Sequence, residues 1–547
     1  MIERAPDLGR LMDRLRTNLA LAGIPATEDD LRDIQEQGYP STVADFERAM
    51  AAVGHDRQPD IQLQSSTKSD APVPSYGASV PADRVSTDRQ PIPPDFRSED
   101  GLAFVSAREV AALLRERRLS STELTAMALD RIARRGPALN AFQVVLADEA
   151  LAAARAADRE IGLGRYRGPY HGVPVAVKDL LAMRGTATSA GSSQPWPGFA
   201  DFDSAAVERL RAGGAVIVGK TRLSEFAYSP GSNNAHYGPT ANPWDAGRDT
   251  GGSSSGSGAA VAAGLVYAAL GTDTGGSIRI PSAFCGLVGL KPSHGRTSLY
   301  GGVTLSWSLD HLGPMTRSVG DGADLLDLLA GPDPRDPRTL VAAPVLPARP
   351  LAGLRVGVLG DDGSGTQLAT DSVLAGWRRG LEALAEGGAE LVPVDVAWLE
   401  MARQVNGTLL VLEAFTLHEE RLRTRWNEIG EFPRRRLMQA LLHGPSAYVR
   451  ASQARAMVWE QARELFERID LLSTPTMPFG APKLGVPGGT RFTAPFNLLG
   501  LPALSLPVGL TGEGLPIGLQ MIGPPGAEAT VLVAGAALER SGIWALA

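Results

Sequence analysis

The stretch Gly251–Pro292 reads GGSSSGSGAAVAAGLVYAALGTDTGGSIRIPSAFCGLVGLKP. It sets two segments of glycine and hydroxyl residues on either side of an apolar run. A glycine–serine run alone is linker material, but Gly251–Gly258 abuts Ala259–Leu270 and is anchored by it. The run AAVAAGLVYAAL falls well short of the ~20 residues that a membrane span needs, and it reads as a buried core helix. In the second segment, Gly271–Arg279, Ser277 follows two glycines. A serine after two glycines can sit where successive backbone N–H groups converge, the geometry of an oxyanion hole, or belong to an ordinary glycine-rich turn. The glycines admit conformations that other residues avoid, and the serines supply short hydroxyls.

Working outward, Val173–Val177 and Ala215–Val218 are short β-branched runs that alternate with helical stretches such as Ser204–Ala212. Leu354–Val358 and Leu391–Val394 repeat the strand pattern, and a helix-rich stretch follows from about 396 to 469. This alternation predicts an α/β fold around a mixed or parallel sheet. The segment His171–Asp179, HGVPVAVKD, delivers Lys178 at the end of an apolar strand. Apolar neighbours can desolvate a lysine, lower its pKa and free the neutral amine to act as a base, although a strand-end lysine taken alone is more often solvated or ion-paired. Ser106 and Ser120–Ser121 cap the first helices of this region.

Residues 1–54 predict a small helical unit. Leu8, Leu11, Met12, Leu15 and Leu19 have helical spacing. Thr27 caps a second helix that Gly38 and Pro40 end, and Ser41 or Thr42 caps a third through Ala52. Residues 55–101 are polar, rich in Pro and Ser, and without periodicity, as a linker or wrapping segment is. Residues 102–547 read as one continuous globular domain.

The chain has 547 residues with a net charge of −7, which argues against a nucleic-acid partner. A single cysteine, Cys285, permits neither an internal disulfide nor a cysteine-based zinc site. The first residues, MIERAPDLGRL, show no apolar core of signal-peptide length. Together these features predict a cytoplasmic protein with no membrane contact.

Two pattern matches mislead. Gly214–Thr221, GAVIVGKT, fits a phosphate-binding loop, yet its interior is strand material and a helix precedes it. Gly252–Gly256 fits G-x-S-x-G, but a polar turn stands where a nucleophile elbow needs a hydrophobic strand. His294, His311 and His443 are read as structural rather than as members of a Ser-His-Asp set, and Cys285 as a packed small residue.

Taken together, the motifs resemble those of the amidase signature hydrolases. The resemblance rests on Gly251–Pro292, on GVPVAVKD, on VGKTRLSEFA at 218–227 and on SLDHLGPMTRSV at 308–319. STPTMP at 473–478 and FNLLGLPALSLPVG at 496–509 extend it, so that it covers roughly 102–545. It implies a large mixed β-sheet covered by helices on both sides. It also implies a triad of Lys178 as base, Ser253 as proton relay and Ser277 as nucleophile. The family's two serines stand 24 residues apart, as Ser253 and Ser277 do. Ser255 departs from the family's usual glycine, a costly exchange if that position needs positive φ. The backbone N–H groups of Thr274, Gly275, Gly276 and Ser277 would form the oxyanion hole, with Ser254, Asp273 and Arg279 supporting the site.

The function so implied is hydrolysis of an amide or carbamate, with esters as a side activity. No metal or organic cofactor is expected. The expected partners are a small-molecule amide, carbamate or ester and no nucleic acid, in a monomer or homodimer. One alternative is the amidase subunit of a tRNA-dependent amidotransferase. The short segment between Pro478 and Phe496 and the N-terminal extension speak against it. Another alternative is a non-catalytic binding protein of the same fold. Substrate choice is expected to lie with residues around 300–310 and with the helical stretch 396–469. Trp398, Leu409, Leu410, Phe415, Trp426 and Tyr448 there suggest an apolar acyl group.

Overall fold

The computed structural model describes residues 8–51 and 101–543. Its strands are β1 (Phe142–Val145), β2 (Pro174–Lys178), β3 (Val216–Thr221), β4 (Ala241–Asn242), β5 (Asp245–Asp249), β6 (Ala268–Asp273), β7 (Val288–Lys291), β8 (His311–Thr316), β9 (Arg355–Leu359), β10 (Glu390–Val394), β11 (Leu471–Pro475), β12 (Ala503–Leu510) and β13 (Pro516–Ile522). β4 and β5 form a small hairpin. The other eleven make one sheet in the order β1-β3-β2-β6-β8-β7-β12-β13-β11-β9-β10. β2 runs parallel to both β3 and β6, whereas β6–β8, β7–β8 and β12–β13 are antiparallel. The sheet is therefore mixed, with helices packed against it, as the alternating pattern predicts.

β2, β3, β6 and β8 are buried along their whole length. That is why they read as apolar runs rather than as two-residue alternation. The four strand segments singled out in the sequence fall on β2, β3, β9 and β10. Ser106, Ser120 and Thr27 each cap a helix and receive a returning carboxylate from Glu109, Glu123 and Asp30.

Ala259–Leu270 is not one helix. The helix Ser255–Ala262 stops, Gly264 takes φ +67°, and the same run enters β6 at Ala268. Buried strand and buried helix share an apolar composition, so only the glycine signalled the break. The phosphate-loop match is likewise a strand. Lys220 lies inside β3, fully buried and 2.6 Å from Asp179.

At the N-terminus, α1 (Leu8–Ala22), α2 (Glu28–Glu36) and α3 (Tyr39–Ala51) pack on the helices that follow β10. α3 starts at Tyr39, earlier than the serine and threonine expected to cap it, because proline is accommodated in a first helical turn. Leu15, Ile34 and Phe46 join one core with Leu409, Leu437 and Leu442. Arg14 and Asn18 donate to the carbonyls of Leu442 and Leu441, at 2.8 and 2.7 Å. The segment expected as a linker lies, but for residue 101, outside the described residues. Among the described residues no helix is long and apolar enough to cross a membrane.

Candidate active site

Lys178 closes β2 with its side chain fully buried between β3 and β6. Its Nζ lies 2.7 Å from Ser253 Oγ, 3.0 Å from Ser254 Oγ and 2.8 Å from Thr272 Oγ1. Burial lowers its pKa to about 7, while Asp273 and Asp310 pull the other way.

Ser253 stands just ahead of the helix Ser255–Ala262, and the Gly252–Ser253 peptide is cis. The glycine before it is required by packing: a Cβ on Gly252 would come within 2.0 Å of the Gly231 carbonyl oxygen. Ser255 begins that helix without positive φ, so this departure from the family's glycine carries no backbone strain.

Ser277 follows β6 and lines a cavity of about 350 Å³ together with Thr274 and Gly275. Among the described residues its Oγ has no protein hydrogen-bond partner, so the hydroxyl is open to the cavity. Its carbonyl accepts from Ser254 N–H at 3.3 Å. Gly276, with φ +139°, packs so closely on Thr493 that a Cβ would meet Oγ1 at 2.4 Å.

Asp273 and Arg279 tie this loop together. Asp273 accepts from the backbone N–H of Gly276 at 2.7 Å and of Ile278 at 3.1 Å. Arg279, fully buried, donates to Asp273 through Nε and an NH group at 3.0 and 2.9 Å, and also to Gln520, Asn497 and the Thr493 carbonyl. Burial pushes the Asp273 pKa up, but the charge and hydrogen bonds of Arg279, with Lys291 and Asn497, bring it down to about 2. One member of the expected oxyanion set is thereby corrected. The Gly276 N–H is committed to Asp273 and points into the loop. Thr274, Gly275 and Ser277 keep N–H groups without a protein acceptor among the described residues.

Sequence reasoning missed Thr272, Asp310, Asn497 and Gln520. Asp310 accepts from Thr274 Oγ1 at 2.6 Å and from the N–H groups of Leu305 and Ser306. Burial raises its pKa to about 6 against these bonds. Asp310 and Asn497 lie within the quoted motifs at 308–319 and 496–509, which was the signal available. No hydrogen bond joins a histidine to Ser277 among the described residues. His311 is buried with Nδ1 on the Leu309 carbonyl at 2.7 Å. Cys285 is buried, and burial pushes its thiol pKa well up.

The cavity wall differs from the apolar one expected. Leu305 comes from the 300–310 region and Leu410 from the helix Trp398–Thr424, but Arg403, Gln404, Asn406, Arg436, Gln439 and His443 line it too. Trp398, Leu409, Phe415 and Trp426 pack into the core instead, and Tyr448 is half-exposed. Helical period alone does not say which face meets a cavity and which a neighbouring helix. Thr42, Val43 and Phe46 of α3 complete the wall.

With this geometry in view, comparison with known proteins is informative. The family model described as Amidase matches residues 123–532. The A-type subunit of the glutamyl-tRNA(Gln) amidotransferase of Anaeromyxobacter sp. (strain K) is 42% identical over 475 residues, covering 80% of this chain and 96% of the relative. A solved structure of a vestigial protein complex, reported to reveal the origins of an s-triazine catabolic enzyme, contains a chain 35% identical with a TM-score of 0.75. The match covers 80% of this chain and 99% of that one. The native peptide amidase of Stenotrophomonas maltophilia is 32% identical with a TM-score of 0.70, over 80% and 97% of the two chains.

These relatives correct the expectation of a small-molecule partner alone, without nucleic acid. The Anaeromyxobacter relative is by name one component of a larger enzyme and is named for an aminoacyl-tRNA. Net charge averages over a whole surface, and it does not report on nucleic acid engaged locally or through an associated protein. The fold, the ordered motifs and the relatives agree: the chain belongs to the amidase family and is an enzyme acting on carbon–nitrogen bonds.

Proposed function

We propose that the chain hydrolyses a carboxamide through an acyl-enzyme on Ser277, with Ser253 passing the proton to Lys178. The observation that carries this reading is the buried Lys178, held near pKa 7, whose hydrogen-bond partners are three hydroxyls including Ser253 at 2.7 Å. A neutral amine has a lone pair that accepts a hydroxyl proton, and a buried ammonium facing hydroxyls alone is costly.

Ser277 Oγ bonds to the acyl carbon as its proton moves to Ser253 Oγ, whose own proton moves to Lys178 Nζ. The oxyanion faces the N–H groups of Thr274, Gly275 and Ser277. Losing one such donor costs about 10²–10³ in rate. Collapse breaks the C–N bond, and the proton returns through Ser253 to the departing nitrogen. Water then attacks the acyl-enzyme by the same relay and releases the acid. Each proton has a named protein partner, so the scheme calls on no metal or organic cofactor.

The setting that the curated relatives favour is the amidase component of a tRNA-dependent amidotransferase, supported by the 42% identity over 96% of the Anaeromyxobacter relative. The nitrogen released would then be handed to an associated protein. One specific observation favours a second reading, a self-contained amidase. The cavity over Ser277 is completed by this chain's own Thr42, Val43 and Phe46.

The test is amine or ammonia release from glutamine, a short aliphatic amide, an aryl anilide and an aryl carbamate, beside Ser277→Ala and Lys178→Ala. Release by the wild type alone, lost in both variants, supports the triad and the second setting. Release that appears only when amidotransferase partner proteins are added supports the first. An inert wild type that a serine-directed probe also leaves unlabelled contradicts the triad.

A further inference from the structure

The antiparallel register of β6 and β8 pairs Asp273 with His311. One step beyond that pair Thr274 meets Asp310, and its Oγ1 donates to the carboxylate at 2.6 Å. Side chains two residues apart share a face of a strand. Thr272, which accepts from Lys178 Nζ at 2.8 Å, is thus on the side of Thr274. Asp273, between them, turns to Arg279 at 2.9 Å. Thr272, Thr274 and Asp310 together line a chamber of about 10 Å³ beside the main cavity, with Leu181 and Val303 among its apolar walls. Such a chamber has room for about one water molecule, so bulk solvent screens the carboxylate little.

Asp310 also accepts from the N–H groups of Leu305 and Ser306, at 2.9 and 3.1 Å. One carboxylate therefore joins the loop that bears Ser277 to the loop that sets Leu305 against the cavity. A different carboxylate holds the outer part of the second loop. Glu413 accepts from Ser306 Oγ at 2.6 Å and from Ser308 N–H at 3.0 Å. Among the described residues no hydrogen bond joins Glu413 to the Ser277 loop.

The other charges at this corner are matched. Asp273, the second carboxylate near Lys178, is paired with Arg279. Arg338 approaches Asp310 but is bound to Asp336 at 2.7 Å, and Lys220 is bound to Asp179 at 2.6 Å. Burial keeps His311 neutral. Among the described residues Asp310 has no ion-pair partner of its own. Burial raises its pKa to about 6, so it is mostly ionised at pH 7, and its charge favours the protonated form of Lys178.

We infer that Asp310 is a positioning residue for the reaction: it locks Thr274 and the Ser277 loop to the cavity wall, and its negative charge steadies the ammonium that Lys178 becomes on taking the relayed proton. The inference rests on the proposed relay from Ser277 through Ser253 to Lys178. Without that charge the lysine is a weaker base and loses its proton at lower pH.

The test is the rate at which a small uncharged phosphonyl fluoride labels Ser277, read by intact mass from pH 5 to 9. The wild-type rate should climb through a midpoint near pH 7. In Asp310→Asn the midpoint should fall by about half a unit or more, and the plateau rate by about tenfold or more. Thr274→Val removes a hydrogen bond that helps to keep Asp310 ionised, so it should move the midpoint the same way by less. Glu413→Gln loosens the outer loop and should leave the midpoint in place. An Asp310→Asn midpoint within about 0.2 of wild type, or an equal shift in Glu413→Gln, overturns the inference and leaves the relay standing. Should Asp310→Asn lack a cooperative urea transition, Thr274→Val decides, and an unchanged midpoint and plateau there overturn the inference. A wild type that does not label, or that labels equally well as Lys178→Ala, overturns the relay and the role of Asp310 with it.

Discussion

Around Lys178, Ser253 and Asp273 the polar groups are buried and bonded to one another, and the Ser277 hydroxyl alone of the proposed triad opens to the cavity. Across the same cavity, Gln439 and His443 hold buried polar atoms that have no hydrogen-bond partner among the described residues. The first wall is made by strand ends and two glycine-rich loops that sit close in sequence. The second joins α3 to helices almost 400 residues further on. A fully satisfied network fixes geometry and suits a step with one transition state. A wall with open donors and acceptors suits selection among substrates.

That contrast can be broken from either side. The largest effect is expected at the bonded wall. Ser277→Ala or Lys178→Ala should lower kcat by about 10⁴-fold or more, measured as ammonia release. Residual activity within about tenfold of wild type would remove the variant residue from the chemistry. Next comes the support beneath it. Arg279→Met leaves Asp273 buried without its ion-pair partner, a kind of change that costs about 3–5 kcal/mol. Urea unfolding should show this loss, and a change below about 1 kcal/mol would mean that the loop is held by its other bonds.

The pH profile has a defined sign. With the neutral amine as the proposed base, kcat/KM should rise with pH through a midpoint near 7, where Lys178 loses its proton. A profile falling through that midpoint would point to an ammonium as the active form. The same shift has a stability counterpart. Between pH about 7 and the ordinary lysine value the unfolded chain binds a proton that the native state does not, so this site makes folding more favourable as pH rises through that window. The smallest effect is expected at the far wall. Phe46→Leu keeps an apolar side chain of reduced reach and should raise KM a few-fold with kcat nearly unchanged. Equal falls in kcat would place α3 in the chemistry rather than in selection.

The same division explains what the sequence made legible. Lys178, Ser253 and Ser277 lie in short motifs, of which the structure brings Lys178 and Ser253 to 2.7 Å, and the strand patterns placed β2, β3, β9 and β10. The split of Ala259–Leu270 between helix and strand was not legible, because both halves are buried and apolar and only Gly264 marks the break. Gly276 looked like its neighbours until Asp273 was seen to take its N–H. The far wall was misjudged for a different reason. Trp398 and Phe415 are conspicuous in sequence, yet the helix Trp398–Thr424 packs them against the core and presents Arg403, Gln404 and Asn406 to the cavity, and Trp426, in the turn beyond it, is buried as well. The contribution of α3 depends on a packing between distant segments that no local pattern encodes.

The relay from Ser277 through Ser253 to Lys178 is most directly tested by labelling with a serine-directed probe and mapping the adduct by mass spectrometry across pH 5 to 9. A single adduct on Ser277 is expected, formed at a rate that climbs through about pH 7 and is lost in Lys178→Ala and sharply reduced in Ser253→Ala. An adduct on another serine, or an unchanged Ser277 rate in Lys178→Ala, would contradict the relay.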